Sequence, residues 1–578
     1  MRTALVWRAL VLLLLCSLTF FAGLGGPAIA DSDEAFYAEA AREMLARGDW
    51  ITPYFNDEPR FQKPILFYWL IAATDTVAGV SEAAARFWAA VSGVGVVLVT
   101  FGAGRRWYGD GVGFVAGAII ATSFGAFNMA RQALPDLPLT FFMTLATWAA
   151  IEAVQIARPA PDGSPTDAEP TRSSRRRWLI VAAAAMALGL LTKGPVAVVL
   201  PLGTVMGLIV LERRGRPGAP WLPLSVSDLA IASAVFLVIA VPWFLAVTLV
   251  HGVEYLFRFF VGENVERFAT ARYNEPRSVF MYVPVILGGF MPWTPFLFLW
   301  VKPLLRVLRR RRRLSAAEVR LALWALVPFV FYSLSIGKQP RYVLPCLAPL
   351  AILLAASLWR YLRADRPGDS AQSWPAGDRL WTTLCLATSG TIIFVGASVL
   401  RARPMLAAAD PTWSPAGPYL MIACGAAAAA SSLALAPRIA LSVITGAAAA
   451  TLLALQASVF SLGRPEPVEV IAAAVRAQGP EPTVCTCGGF TRNLVYYAHH
   501  FTLVGDLDEH ARRILEQKNH TIVVVDASML DRIEAASGRR YVRLAEVTYL
   551  NVASLRAEDL VRPDPARRLQ RIVLASNR

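Results

Sequence analysis

Charge is scarce in this sequence. Asp, Glu, Lys and Arg make up 17% of its 578 residues, against roughly a quarter in an ordinary soluble domain. With 56% hydrophobic residues and a mean hydropathy of +0.48, that deficit excludes a water-soluble globular protein for most of the chain. Cysteine is scarce too, at six residues. Cys16, Cys346, Cys385 and Cys424 fall in apolar runs and read as small core residues, which leaves only Cys485 and Cys487 to be explained. Internal repeats and ionisable residues at mid-span, the marks of a transporter or lipid flippase, are missing. The net charge of +15 does not point to nucleic acid, because the arginines sit in short clusters between apolar runs, as membrane topology places them.

What is present is a succession of apolar runs, near 6–30, 83–102, 112–130, 138–157, 178–193, 195–211, 228–250, 279–301, 320–336, 342–360, 382–400, 418–435 and 439–461. They predict an α-helical polytopic membrane protein of about thirteen transmembrane helices. Gly25 to Ala30 imitates a signal-peptidase site, but the first run is long enough to span roughly 30 Å of hydrocarbon and is read as a retained helix. Ile65 to Val80 is too short for a comfortable crossing and reads as interfacial or re-entrant. With the N-terminus inside, the clusters Arg105-Arg106, Arg172 to Arg177, Arg213-Arg214-Arg216, Arg309 to Arg313 and Arg360 to Arg366 all fall on the inner side. A full crossing at 65–80 would put every later cluster outside.

This topology gathers the polar residues of interest on the outward side: the loop 31–82, the turns around Asp136 and Lys193, the segment 253–277, and Lys338 to Arg341. Residues 1–461 are expected to form the membrane domain and 462–578 a soluble α/β domain on the same outward side. In that tail Thr521 to Val525 and Leu494 to Tyr497 read as strands and Leu530 to Ala536 as helix. Cys485 and Cys487 with His499 and His500 match no standard zinc spacing; a buried strand pair or a disulfide is the simpler account.

In the first outward loop, Phe36, Tyr37, Ala40, Ala41, Met44 and Leu45 recur at helical spacing while Glu39, Arg42 and Glu43 face elsewhere, which predicts an amphipathic helix in the interface. Asp33 stands at its start, where acidic residues commonly cap. Asp33-Glu34, Phe36-Tyr37-Ala38-Glu39, Arg42-Glu43-Met44-Leu45, Gly48-Asp49-Trp50, Thr52-Pro53, Lys63-Pro64 and Tyr68-Trp69 follow one another in an order that resembles the first outward loop of the polyprenyl-phosphate-dependent aminoarabinose transferases and their protein-mannosyltransferase relatives, GT-C membrane glycosyltransferases. Leu134 to Thr140, Leu191 to Pro195, Asn264 to Phe268 and Phe331 to Pro345 extend the likeness, over roughly 6–361.

The resemblance implies a GT-C-like fold, a location in the inner membrane with the site facing the periplasm, and inverting transfer of a sugar, 4-amino-4-deoxy-L-arabinose or a hexose. The donor would be a polyprenyl-phosphate-linked sugar and the acceptor lipid A or another envelope lipid or protein, with membrane lipids around the chain and no nucleic acid. It implies Asp33 with Glu34 as the catalytic pair, Lys63, Arg267 and Tyr342, joined by Lys338 and Arg341, at the donor phosphate, and Asp136 and Lys193 toward acceptor or sugar. Arginine would hold phosphate oxygens in pairs and lysine as a point charge. On residue type alone, Asp136 could equally cap a helix, Lys193 snorkel, and Lys338 and Arg341 anchor the membrane edge. A protein or cell-wall mannosyltransferase is the alternative. No cofactor is expected, nor a divalent metal: where aminoarabinose transferases carry Glu before Lys-Pro and His ahead of Arg-Phe, this chain has Gln62 and Gly262; a displaced ligand from His251 or Glu263 is the alternative.

Overall fold

The computed structural model describes residues 2–155, 171–214, 224–272, 276–363, 379–461, 463–499, 502–504 and 508–578. Arg216, residues 364–366 of the last basic cluster, and His500 lie outside them. Among the described residues nine helices are long and apolar enough to cross a membrane, or eleven when two bent pairs are each counted as one span. One pair, Asp110–Ala121 with Phe124–Ala130, bends by 58°; the other, Tyr282–Gly289 with Thr294–Leu308, by 113°. Two further helices, Arg172–Thr192, which opens on a run of arginines, and Val196–Arg214, fall on the expected apolar runs 178–193 and 195–211 but are not among those eleven. The chain is a multi-pass, helical membrane protein. Leu66–Ala78, at 13 residues, spans only about 20 Å at 1.5 Å per residue.

Small residues let the spans approach closely. A Cβ on Gly113 would come within 2.5 Å of the Phe101 carbonyl and 2.7 Å of the Arg105 nitrogen, so Glu82–Tyr108 and Asp110–Ala121 pack backbone against backbone, as small-residue interfaces in membranes do. The first helix belongs to the bundle. Leu12 and Phe20 are fully buried, and the buried Arg131 donates to the carbonyls of Thr19 and Ala22.

Ion pairs knit the basic end of the bundle. Arg8 and Arg105 share Asp110, Arg106 meets Glu152, and Arg176 meets Asp228. The other end carries the helix Asp33–Arg47, which Ser32 caps by accepting from the Glu34 N–H and Gly48 ends at φ +68°. Its apolar face is buried as expected, but Glu39 and Glu43 are buried as well. Glu39 is bound by Arg42, and Glu43 accepts from the Asn56 and Asp57 N–H groups of the hairpin Tyr54–Phe55/Glu58–Pro59. The helix does not lie free on a membrane surface; the hairpin and the C-terminal domain cover its polar side.

That domain is a five-stranded sheet with helices around it. The strand order is Thr502–Val504, Thr483–Cys487, Thr521–Asp526, Leu569–Ser576, Val542–Leu550, the first three parallel and the last two antiparallel to their neighbours. Thr521 to Val525 and Leu530 to Ala536 take their expected forms. Leu494 to Tyr497 does not: it is the helix Leu494–Ala498, because its four apolar members pack around a short turn against the sheet and the loop below rather than alternating across a ladder. Cys485 and Cys487 are buried on one face of their strand as free thiols, with sulfurs 3.2 Å apart.

Candidate functional site

Four side chains from separate elements form an alternating row of charge. Asp33, at the head of its helix, accepts from Arg341 at 2.5 Å. The same guanidinium lies 3.4 Å from Asp136, at the head of Asp136–Val154, and Asp136 accepts from Lys193 at 2.5 Å. Lys193 also stands over the Tyr342 ring, 5.0 Å from its centroid. Asp136 does begin a helix, yet its carboxylate is turned onto two cations. Lys193 points inward from the end of Arg172–Thr192 rather than out along the membrane edge. Gly194 sets its direction: φ is +133°, and a Cβ there would meet Asn264 Oδ1 at 2.8 Å, a combination only glycine accommodates.

A second group sits beside this row. Glu263 accepts from Lys63 at 3.3 Å and from Arg267 at 2.7 Å, so one carboxylate bridges two cations that the sequence separates widely. Burial pulls the Lys63 ammonium down to about 7, and the neighbouring Arg267 charge adds to this against the opposing pull of Glu263. The two groups open into one cavity of about 500 Å³ lined by Lys63, Asp136, Lys193, Arg267, Arg341 and Tyr342 on its polar side and by Val196, Val199, Phe260, Phe268 and Phe331 on its apolar side. A charged head beside an apolar trough suits a lipid phosphate.

Asp33, Glu34 and Lys338 do not line the cavity. Asp33 stands at its rim, 41% of its side chain accessible. Burial alone would raise its carboxyl, but Arg341, by charge and hydrogen bond, with Arg492 and Arg60, holds it below the ordinary value. Glu34 faces away. Its oxygens accept from Arg86 at 2.7 and 3.0 Å and from the N–H groups of Ala30 and Ala133, which ties the loop to two spans. Lys338 is buried and donates to the Ser335 carbonyl, so it is no edge anchor.

Sequence reasoning passed over three contributors. Arg492, in the C-terminal domain, reaches Asp33 at 3.4 Å, while Asp31 accepts from the Thr491 and Arg492 N–H groups. Arg60 and Arg492 flank the Phe36 ring at 4.0 and 5.2 Å. Glu263, which the sequence offers only as a displaced metal ligand and not as a bridge between Lys63 and Arg267, is the third. The pattern Asn264 to Phe268 directed attention to Arg267, four residues on, and its i,i+4 partner was the available signal.

Zinc does not fit these residues. Among those described, no three of His, Cys, Asp and Glu converge; Glu263 is taken by two cations, and the nearby His251 ring meets Thr52.

Three comparisons bear on this geometry. The family model described as dolichyl-phosphate-mannose-protein mannosyltransferase matches residues 11–256. The undecaprenyl phosphate-alpha-4-amino-4-deoxy-L-arabinose arabinosyl transferase of Edwardsiella ictaluri is 33% identical over 359 residues, 61% of this chain and 59% of that protein. Its Pseudomonas aeruginosa counterpart (strain UCBPP-PA14) is 32% identical over 357 residues, 61% and 60% of the two. The match thus spans about three-fifths of those relatives' length. In structure, ArnT from Cupriavidus metallidurans bound to undecaprenyl phosphate superposes with a TM-score of 0.70 at 22% identity, covering 98% of both chains. The chain has the GT-C fold of that transferase and resembles the aminoarabinose transferases over about three-fifths of its length. The archaeal oligosaccharyltransferase AglB from Archaeoglobus fulgidus, with a TM-score of 0.51, 12% identity and coverage of 94% and 69%, shares the GT-C architecture more distantly. The 98% coverage includes the C-terminal sheet domain, so the shared fold extends through it.

Proposed function

We propose that this chain is an inverting glycosyltransferase. It moves a sugar, 4-amino-4-deoxy-L-arabinose by analogy with the arabinosyl transferases it resembles, from a polyprenyl-phosphate donor to lipid A or another anionic envelope acceptor. The observation that carries the reading is the 500 Å³ cavity in which Lys63, Arg267 and Tyr342 face an apolar trough. The donor phosphate binds where Glu263 now bridges Lys63 and Arg267, and the prenyl chain runs along Val196, Val199 and Phe268. Both cations stabilise the charge that grows on the leaving phosphate as its bond to the anomeric carbon breaks. Lys338 acts from behind, by holding the 335–341 turn.

Asp33, Arg341, Asp136 and Lys193 then define the acceptor side. An acceptor oxygen attacks the anomeric carbon from the face opposite the leaving phosphate, which inverts it. A carboxyl held below its ordinary value is a weak proton acceptor. This favours an acceptor that arrives ionised, such as a phosphate, over a hydroxyl. Asp33 accordingly orients the acceptor through Arg341, and Glu34 supports the loop that presents Asp33. Protein mannosyl transfer is the second reading, favoured by the family model over residues 11–256; there Asp33 takes the hydroxyl proton. The site faces the periplasm from the inner membrane, with 1–461 as the membrane unit and 462–578 as an outward domain. Support for that orientation is the concentration of arginines at the opposite end of the bundle.

Asp33→Asn tests the assignment. Transfer from a polyprenyl-phosphate sugar by the purified full chain is expected to fall about a hundredfold, with insertion and thermal midpoint unchanged. Turnover near that of the unmodified chain would remove Asp33 from the chemistry.

A further inference from the structure

A second cavity lies at the end of the bundle remote from Asp136 and Lys193. It measures about 760 Å³ and is lined by Gly102, Arg105, Arg106, Asp110, Trp148, Ser174, Arg177, Trp178 and Val181. Its place follows from helix direction. Asp136 and Trp148 lie on one helix, the first at the outward end and the second three turns further in. Ser174 to Val181 begin the helix that ends beside Lys193. Arg105 and Arg106 close the helix whose head, Glu82, meets Arg464 of the C-terminal domain.

The lining combines three arginines with two half-buried tryptophans. Arg105 and Arg106 are 46% and 60% accessible, so their guanidiniums present unused N–H groups despite their contacts with Asp110 and Glu152. Arg177 is exposed, and among the described residues it donates only to the Ser173 carbonyl, at 3.4 Å. Among the described residues Asp110 is the one acid in the lining and is already shared by Arg105 and Arg8, which leaves the described lining net positive. Trp148 and Trp178 lie 5.1 Å apart, ring to ring. Trp148 rests on Gly102, where a Cβ would come within 2.9 Å of the ring, and its indole N–H donates to Glu152 at 3.3 Å. The tryptophan floor is therefore fixed in place.

Basic groups between helix ends at a membrane face attract anionic headgroups, and indole rings settle at headgroup depth. The volume exceeds what a single phosphate fills and suits a headgroup together with the first methylenes of its chains. We propose that this cavity is a binding site for an anionic phospholipid of the basic membrane face: its phosphodiester sits among Arg105, Arg106 and Arg177, and its acyl chains leave across Trp148 and Trp178. The site is separate from the donor cavity and does not depend on the reaction assigned there.

Native mass spectrometry of the full chain, released from micelles supplied with phosphatidylglycerol or phosphatidylcholine, tests this. One phosphatidylglycerol is expected to be retained and phosphatidylcholine lost. The double variant Arg105→Gln/Arg177→Gln is expected to weaken retention about thirtyfold, from the usual contribution of each basic residue near a membrane surface. Ser174→Glu keeps every arginine and adds a carboxylate to the cavity; it is expected to have the same effect and carries the test if the double variant does not fold. Equal retention of the two lipids, or unchanged retention in a folded variant, overturns the proposal. Displacement of the lipid by millimolar inorganic phosphate overturns it as well, by identifying a site for the free ion.

Discussion

Asp33 keeps 41% of its side chain accessible and is held by two arginines, whereas the next carboxylate, Glu34, is 1% accessible and spends both oxygens on Arg86 and backbone. Their substitutions should fail in different ways. Asp33→Asn leaves the fold alone, as stated above. Glu34→Gln strips the charge from a buried pair and is expected to cost about 3 kcal/mol, read as a lowered thermal midpoint in detergent; an unchanged midpoint would show that the Arg86 pair does not brace the loop. Lys63 supplies a pH test. Its ammonium form binds the donor phosphate, and burial brings its proton off near 7, well below the ordinary lysine value. Donor affinity is therefore expected to be greatest below about 7 and to decline above it. Lys63→Arg, which keeps its charge throughout, is expected to flatten that decline. Parallel pH profiles for the two proteins would remove Lys63 from the phosphate site.

At the scale of elements, the turn that follows Arg172–Thr192 has little freedom. Gly194→Ala forces a side chain against Asn264 in a left-handed backbone, which costs about 1–3 kcal/mol locally and shifts Lys193 off Asp136. Turnover is expected to drop by up to about a hundredfold, with polyprenyl-phosphate binding less affected, measured as separate kcat and donor affinity; unaltered turnover would show that Lys193 is not held by this turn. The spans and this turn were legible in the sequence because each leaves a local mark, either a hydropathy run or a short ordered motif. So was the convergence of Lys63, Asp136, Lys193, Arg267, Arg341 and Tyr342 on one side, since alternation of spans fixes sides. The bond from Arg492 to Asp33 was not, since partners 459 residues apart leave no periodicity to read. The strand expected at Leu494 to Tyr497 failed for a related reason: a four-residue apolar run fits a ladder or a helical turn equally well, and only the docking of Tyr496 and Tyr497 onto the loop below selects the helix.

For the whole molecule, the C-terminal domain is joined to the site end by Glu466 at the Ala28 N–H, Tyr497 at the Ile29 N–H and Asn493 at the Ile29 carbonyl. It must lie on the same side of the membrane as Asp33. A reporter that is active only in the cytoplasm, fused to the C-terminus, is expected to be silent; an active one would reverse the orientation proposed for the entire bundle. The Asp33–Arg341 bond carries a consequence in time. Its partners are 308 residues apart, and a ribosome adding about 5–20 residues per second needs about 15–60 s to go from one to the other. Arg492 emerges later still. Through that interval Asp33 is an ionised carboxylate without its Arg341 partner. It meets its first guanidinium partner from a distant segment only after Arg341 has emerged and its second, Arg492, only when the chain is nearly finished, so no chain that stops short of residue 492 carries the charge pattern of the completed site.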